Sequence, residues 1–139
     1  MLVPFDEKLK DIALKIKDIA YSFGLIADYV VERGGNDVCS YEKWASGHAV
    51  LYGIIYVPNM SLSGLNQYYY SVTFPFTLLT VKSAADTTTS TRDVNYHGTV
   101  NTSIRKLDLT NANSCQVLTD LGTAYPGISV GYEIKGTWK

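Results

Sequence analysis

Residues 41–57 read Tyr41-Glu-Lys-Trp44-Ala-Ser-Gly47-His-Ala-Val-Leu-Tyr52-Gly-Ile-Ile-Tyr-Val57. A short run ending in Trp44, the link Ala45-Ser46-Gly47 and a run from His48 to Val57 make the pattern of a β-hairpin with a Gly-containing turn. On the return strand Val50, Tyr52, Ile54 and Tyr56 share one face, and Leu51, Ile55 and Val57 share the other. Both faces are apolar, which predicts a strand buried on both sides, the second face serving as a subunit contact in an oligomer.

Toward the C-terminus the same chemistry repeats. Tyr68, Tyr70, Val72, Phe74 and Phe76 alternate with Tyr69, Ser71, Thr73, Pro75 and Thr77, a half-buried strand that Pro75 places at an edge or a strand end. Val130, Tyr132, Ile134, Gly136 and Trp138 alternate with Ser129, Gly131, Glu133, Lys135 and Thr137 as a final amphipathic strand. Ile104 to Leu109 and Gln116 to Leu121 are weaker strands. The polar tract from Ser83 to Ser103, with Thr87-Thr-Thr-Ser-Thr91 inside it, reads as long loops with room for one short strand. Short strands and frequent turns predict an antiparallel β-sandwich of jelly-roll type over residues 36–139.

Toward the N-terminus the period changes. Leu2, Phe5, Leu9, Ile12, Ile16, Ile19, Phe23, Ile26 and Val30 are spaced alternately by three and four, a heptad repeat. With Leu2, Leu9, Ile16, Phe23 and Val30 at a, the d positions are Phe5, Ile12, Ile19 and Ile26, and Ala13, Ala20 and Ala27 widen the stripe at e. Isoleucine at both a and d disfavours dimers, so residues 1–33 are predicted to form a trimeric coiled-coil stalk, trimerising through Phe5, Leu9, Ile12, Ile16, Ile19, Phe23, Ile26 and Val30. Pro4 starts the helix and leaves Leu2 outside it. The alternative is an amphipathic helix packed on its own domain. The fold class is mainly β with an N-terminal α-helix.

Composition agrees with two segments of different character. The chain has 139 residues, 46% of them hydrophobic, and a formal net charge of −1. A chain so nearly neutral does not work by neutralising nucleic-acid phosphate or anionic membrane. Residues 1–33 carry 11 of the 25 charged residues, whereas ten of the 11 glycines lie beyond position 33. Charges interrupt every apolar run before the roughly 18–20 residues that span a bilayer. The N-terminus has no signal-peptide pattern, so Cys39 and Cys115 are expected to be reduced thiols.

The segment Tyr41-Glu42-Lys43-Trp44-Ala45-Ser46-Gly47, followed by Tyr52-Gly53, resembles a hairpin near the start of the head domains of many phage tail fibres. Thr73-Phe74-Pro75-Phe76 resembles a central Phe-Pro-Phe strand of that family. Ile134-Lys135-Gly136-Thr137-Trp138-Lys139 resembles its terminal strand, with Gly, one residue, Trp and Lys. Taken in order, these landmarks cover about 100 residues from Val38 onward. The resemblance implies the C-terminal head of a tail-fibre or baseplate receptor-binding protein, a homotrimer that touches host-surface saccharide or protein. It also implies other virion proteins as partners at the N-terminus and a place on the virion after assembly in the host cytoplasm. A capsid or head fibre, or a decoration protein with little specific binding, has the same design.

Catalytic chemistry is hard to assemble from this sequence. His48 and His97 are its two histidines, and no zincin, nucleophile-elbow, P-loop or dinucleotide motif occurs. Asp86, Asp93, Asp108, Asp120 and Glu133 are numerous enough for a glycan depolymerase, but no spacing selects a pair. The protein is therefore expected not to be an enzyme and to need no cofactor or metal. Three copies of His97 around a trimer axis are the one metal arrangement to weigh, against a simple loop at Tyr96-His97-Gly98. Tyrosine supplies 11 of the 17 aromatic residues, and its flat face and hydroxyl suit sugar stacking and interfaces. Tyr69 points opposite Tyr68 and Tyr70 and is the exposed candidate. Arg92, Asp93, Asn95, Tyr96 and His97 mix charged, planar and aromatic groups on a polar loop and complete the predicted ligand-binding set.

Overall fold

A computed structural model describes residues 5–57, 67–91, 100–121 and 128–139. Helix α1 (Phe5–Ser22) carries Asp6 and Glu7 in its first turn, where carboxylates complement the helix dipole. It ends because Gly24 adopts a left-handed φ of 69°. The Gly24 N–H donates to the Tyr21 carbonyl and the Leu25 N–H to the Ala20 carbonyl, both at 2.9 Å. These paired bonds form a Schellman cap. Among the described residues the helix ends at Ser22, so positions 23–33 of the stalk expected over 1–33 are not helical. The heptad spacing runs on past the cap, but Phe23 lies in the turn, Ile26 in a non-helical link, and Val30 in a strand.

The described residues form seven strands, β1 (Val30–Gly35), β2 (Ser40–Trp44), β3 (His48–Val57), β4 (Gln67–Thr91), β5 (Val100–Arg105), β6 (Thr110–Leu121) and β7 (Ile128–Thr137). All pairings are antiparallel, in the order β1-β2-β3-β7-β4-β6-β5. Strand β1 lies before the head boundary expected at residue 36, and its Val30 and Glu32 pair with Trp44 and Lys43 of the hairpin.

Strand β4 joins the two halves of the sheet. Its first part pairs with β6 from Gln67 to Thr80, and its second part with β7 from Thr80 to Thr91. Regular pairing with β6 is broken between Thr73 and Leu78. Pro75, which has no N–H to give a ladder, sits within that break. The buried cluster draws Ala49, Leu51 and Ile55 from β3 and Val130, Tyr132 and Ile134 from β7. Against them lie Val72, Phe74 and Leu78 of β4 and Ala112, Cys115 and Val117 of β6. The sandwich is thus one continuous sheet folded over its own apolar face, where a jelly roll would use two separate sheets.

One further expectation changes. Residues 83–91 are strand rather than loop, pairing with β7 from Ser83 to Thr91; threonine is β-branched and favours the extended backbone despite its polarity. Within the single chain strand β3 buries one face and leaves exposed the other, the face expected to serve as a subunit contact. Leu51 and Ile55 are inside, whereas Tyr52, Ile54 and Tyr56 face outward, Ile54 being 63% exposed. Cys39 and Cys115 are free thiols within the core.

Candidate functional site

The outward stripe of α1 is the first candidate surface. No residue of the helix is buried, and Phe5, Leu9, Ile12, Ile16 and Ile19 are between 49% and 74% exposed. The helix touches the link that follows it through the opposite side. Tyr21 packs edge-on against Tyr29 at 6.2 Å between ring centroids, and Lys17 Nζ lies 6.0 Å from the Tyr29 ring centroid. Leu14, Lys15, Asp18, Tyr29 and Val31 line a 210 Å³ depression at this junction. In the heptad register, Leu14, Lys17, Asp18 and Tyr21 occupy b, c and f, so the a and d positions turn away from the head.

The link between helix and sheet is tied down. Asp28 accepts the Ser46 hydroxyl at 2.5 Å and the backbone N–H groups of Ser46 and Tyr29 at 3.0 Å each. The Tyr29 carbonyl accepts the Ala45 N–H at 2.9 Å. The Ser46 hydroxyl bond is the main reason the Asp28 carboxyl is held below its ordinary value. Asp28 thus clamps the hairpin turn beneath the helix.

A second cluster gathers residues from all three landmark segments. Lys43 Nζ stands 4.4 Å from the Phe76 ring centroid, 5.2 Å from that of Trp138 and 5.5 Å from that of Tyr41. Glu32 Oε2 closes this aromatic cage at 2.8 Å from the ammonium. Lys43, with help from the Tyr41 hydroxyl, holds the Glu32 carboxyl below its ordinary value. Beside the cage the Trp138 indole N–H donates to the Trp44 carbonyl, and the Trp138 backbone N–H to the Gly47 carbonyl, each at 2.9 Å. The lysine already fills the cage, so these motifs fasten the last strand to the hairpin rather than offering a binding site.

Tyr69 lies on the outer face of the β4–β6–β5 half, 51% exposed. Pairing of Tyr69 with Leu118, Ser71 with Gln116 and Arg105 with Gln116 puts these residues on that one face. Tyr69, Arg105, Lys106 and Gln116 line an open depression of 480 Å³. Lys106 has a φ of 51°, a left-handed backbone where the chain leaves β5. Arg105, Lys106 and Gln116 were not singled out from the sequence; Arg105 and Lys106 lie within the weak strand expected from Ile104 to Leu109, where the structure instead ends β5 at Arg105, and Gln116 opens the one expected to Leu121. Another depression of 310 Å³ is lined by Tyr52, Gly53, Ile54, Thr87, Tyr132 and Glu133. Arg92, Asp93, Asn95, Tyr96 and His97, predicted to join Tyr69, lie outside the described residues. Among the described residues no three His, Cys, Asp or Glu side chains group as metal ligands, and no helix is long and apolar enough to cross a membrane.

No protein-family model matches the sequence, and no curated protein matches it. Solved structures do. The chain is similar to the C-terminal part of the P. aeruginosa R1 pyocin fiber, with a TM-score of 0.56 and 13% identity, over 84% of this chain and 30% of that one. It is also similar to an N-truncated R1-type pyocin tail fiber, with a TM-score of 0.52 and 12% identity, over 86% of this chain and 94% of that one. What the chain shares with these tail fibres is their fold.

Proposed function

We propose that the chain is a homotrimeric fibre protein of a phage virion whose β head binds a saccharide or protein on the host surface without catalysis. In this reading three copies of α1 form the stalk and the N-terminal end faces other virion proteins. The observation that carries it is the orientation of α1, which turns its b and f positions toward Tyr29 of the following link and leaves the isoleucine seam exposed. Burying that seam among three helices removes several exposed large apolar side chains from water, each contributing about 1.5–3 kcal/mol when fully buried. The fold shared with pyocin tail fibers supports the same reading. Three linked heads would raise avidity without any new contact.

Two measurements test it. Sedimentation equilibrium should return three times the 15.4 kDa chain mass, and the trimer should bind bacterial cells of a susceptible strain saturably. A mass near one chain overturns the trimer. A trimer without saturable adsorption leaves a structural virion fibre, and release of fragments from cell-wall polysaccharide would make it an enzyme.

A further inference from the structure

The outer face of the β4–β6–β5 half combines groups that no other described depression brings together. Tyr69 presents an aromatic ring, Ser71 is exposed beside it, and Gln116 stands between Ser71 and Arg105 in the strand register. At about 4.8 Å between strands and 3.4 Å per residue, Tyr69 and Arg105 sit at diagonal corners of a block roughly 12 Å across, room for one or two sugar rings. The charge is one-sided. Among the described residues the depression is lined by Arg105 and Lys106 and no carboxylate, whereas Lys15 and Asp18 both line the helix junction and Glu133 lines the Tyr52 depression. Arg33, Lys43 and Lys135 are each matched to a glutamate, whereas Arg105 and Lys106, like Lys82 and Lys139, form no ion pair among the residues whose side chains are described. Arg105 and Lys106 are adjacent in the chain, and together with an exposed tyrosine ring they form a cationic, aromatic face.

We propose that this face is a subsite for an acidic saccharide, one bearing a carboxylate or phosphate on its ring or linkage, and the assignment rests on the receptor-binding reading above. The Tyr69 ring stacks on the C–H face of a pyranose. The Gln116 amide and Ser71 hydroxyl exchange hydrogen bonds with ring hydroxyls. Arg105 takes the acidic group with its planar fork, and Lys106 adds a point charge at the rim.

The test titrates the full-length protein with an oligoglucuronate, its carboxyl-reduced neutral counterpart, and poly(glycerol phosphate). At low ionic strength the protein should bind at least one acidic probe about tenfold tighter than the neutral one, the preference shrinking as salt is added. Which acidic probe leads separates carboxylate from phosphate. R105Q/K106Q should lower acidic binding to the neutral level. Tyr69→Ala should weaken all probes about tenfold, whereas Tyr69→Phe keeps the stacking face and should stay close to wild type. Equal affinity for acidic and neutral probes, or unchanged acidic binding in R105Q/K106Q, overturns the assignment. Cell adsorption separates this from the parent reading. Wild-type adsorption that R105Q/K106Q retains, at unchanged sedimentation mass, removes the subsite and leaves receptor binding standing. Absence of wild-type adsorption removes the receptor reading itself.

Discussion

Tyr132 and Gly53 face each other across the β3–β7 ladder, and the Tyr132 hydroxyl passes over the glycine to donate to the Val38 carbonyl. A Cβ on Gly53 would collide with that carbonyl oxygen and stand 2.9 Å from the Tyr132 hydroxyl. Gly53→Ala is therefore expected to destabilise the head by about 1–3 kcal/mol, as overpacking does, seen as a lower urea midpoint with little change in slope. A second residue-scale prediction concerns acid. Asp28 and Glu32 both have carboxyls held below their ordinary values by the partners described above. A lowered folded value means that the unfolded chain binds protons first as pH falls, so the stability these groups add is complete above the ordinary carboxylate range near pH 4 and is lost below it. Melting temperature should be flat above about pH 5 and fall on acidification toward pH 3, less steeply in D28N. An equal fall in D28N would mean that the Ser46 clamp does not contribute. At this scale the sequence was informative about Tyr69, because alternation alone separates it from Tyr68 and Tyr70.

At the scale of elements, α1 sets an apolar seam against a solvated face, and the seam is the part its own head leaves uncovered. Replacing Ile16 and Ile19 by Asp introduces two charges per helix into adjacent a and d layers, a burial that is costly without partners. I16D/I19D should dissociate the assembly at micromolar concentration while the head keeps its β circular-dichroism signal. An unchanged sedimentation mass would contradict the seam. The helix boundary was legible too, though the heptad spacing pointed past it. Gly24 is the one glycine in the first 33 residues, and at its left-handed φ it outweighs an apolar spacing that three more residues happen to satisfy. The strand at 83–91 was obscured by composition, since its threonines look like loop residues until β7 pairs with them.

Across the whole molecule, one sheet closes over itself, and Cys39 and Cys115 report on whether it stays closed. They come from the segment before β2 and from β6, and both are at most 2% exposed. Burial pushes the Cys115 thiol up to about 12 and raises that of Cys39 as well. The thiolate is the reactive form, so neither cysteine should react with a maleimide in native buffer at pH 8. Both should react together once the chain unfolds in urea, as mass spectrometry of the labelled protein would show. Labelling of one cysteine well before the other would mean that the two halves open separately.

Period-two and heptad patterns are local, so the sequence by itself determined that a helix with an exposed apolar seam precedes a head of antiparallel strands, and which face of β4 carries Tyr69. Pairing is not local. That β4 would serve both halves of the sheet, that Lys43, Phe76 and Trp138 would meet in one cage, and that Arg105 and Gln116 would stand beside Tyr69 depended on strand order and register. Those follow from the collective burial of residues far apart in the chain, a free energy that no single segment carries.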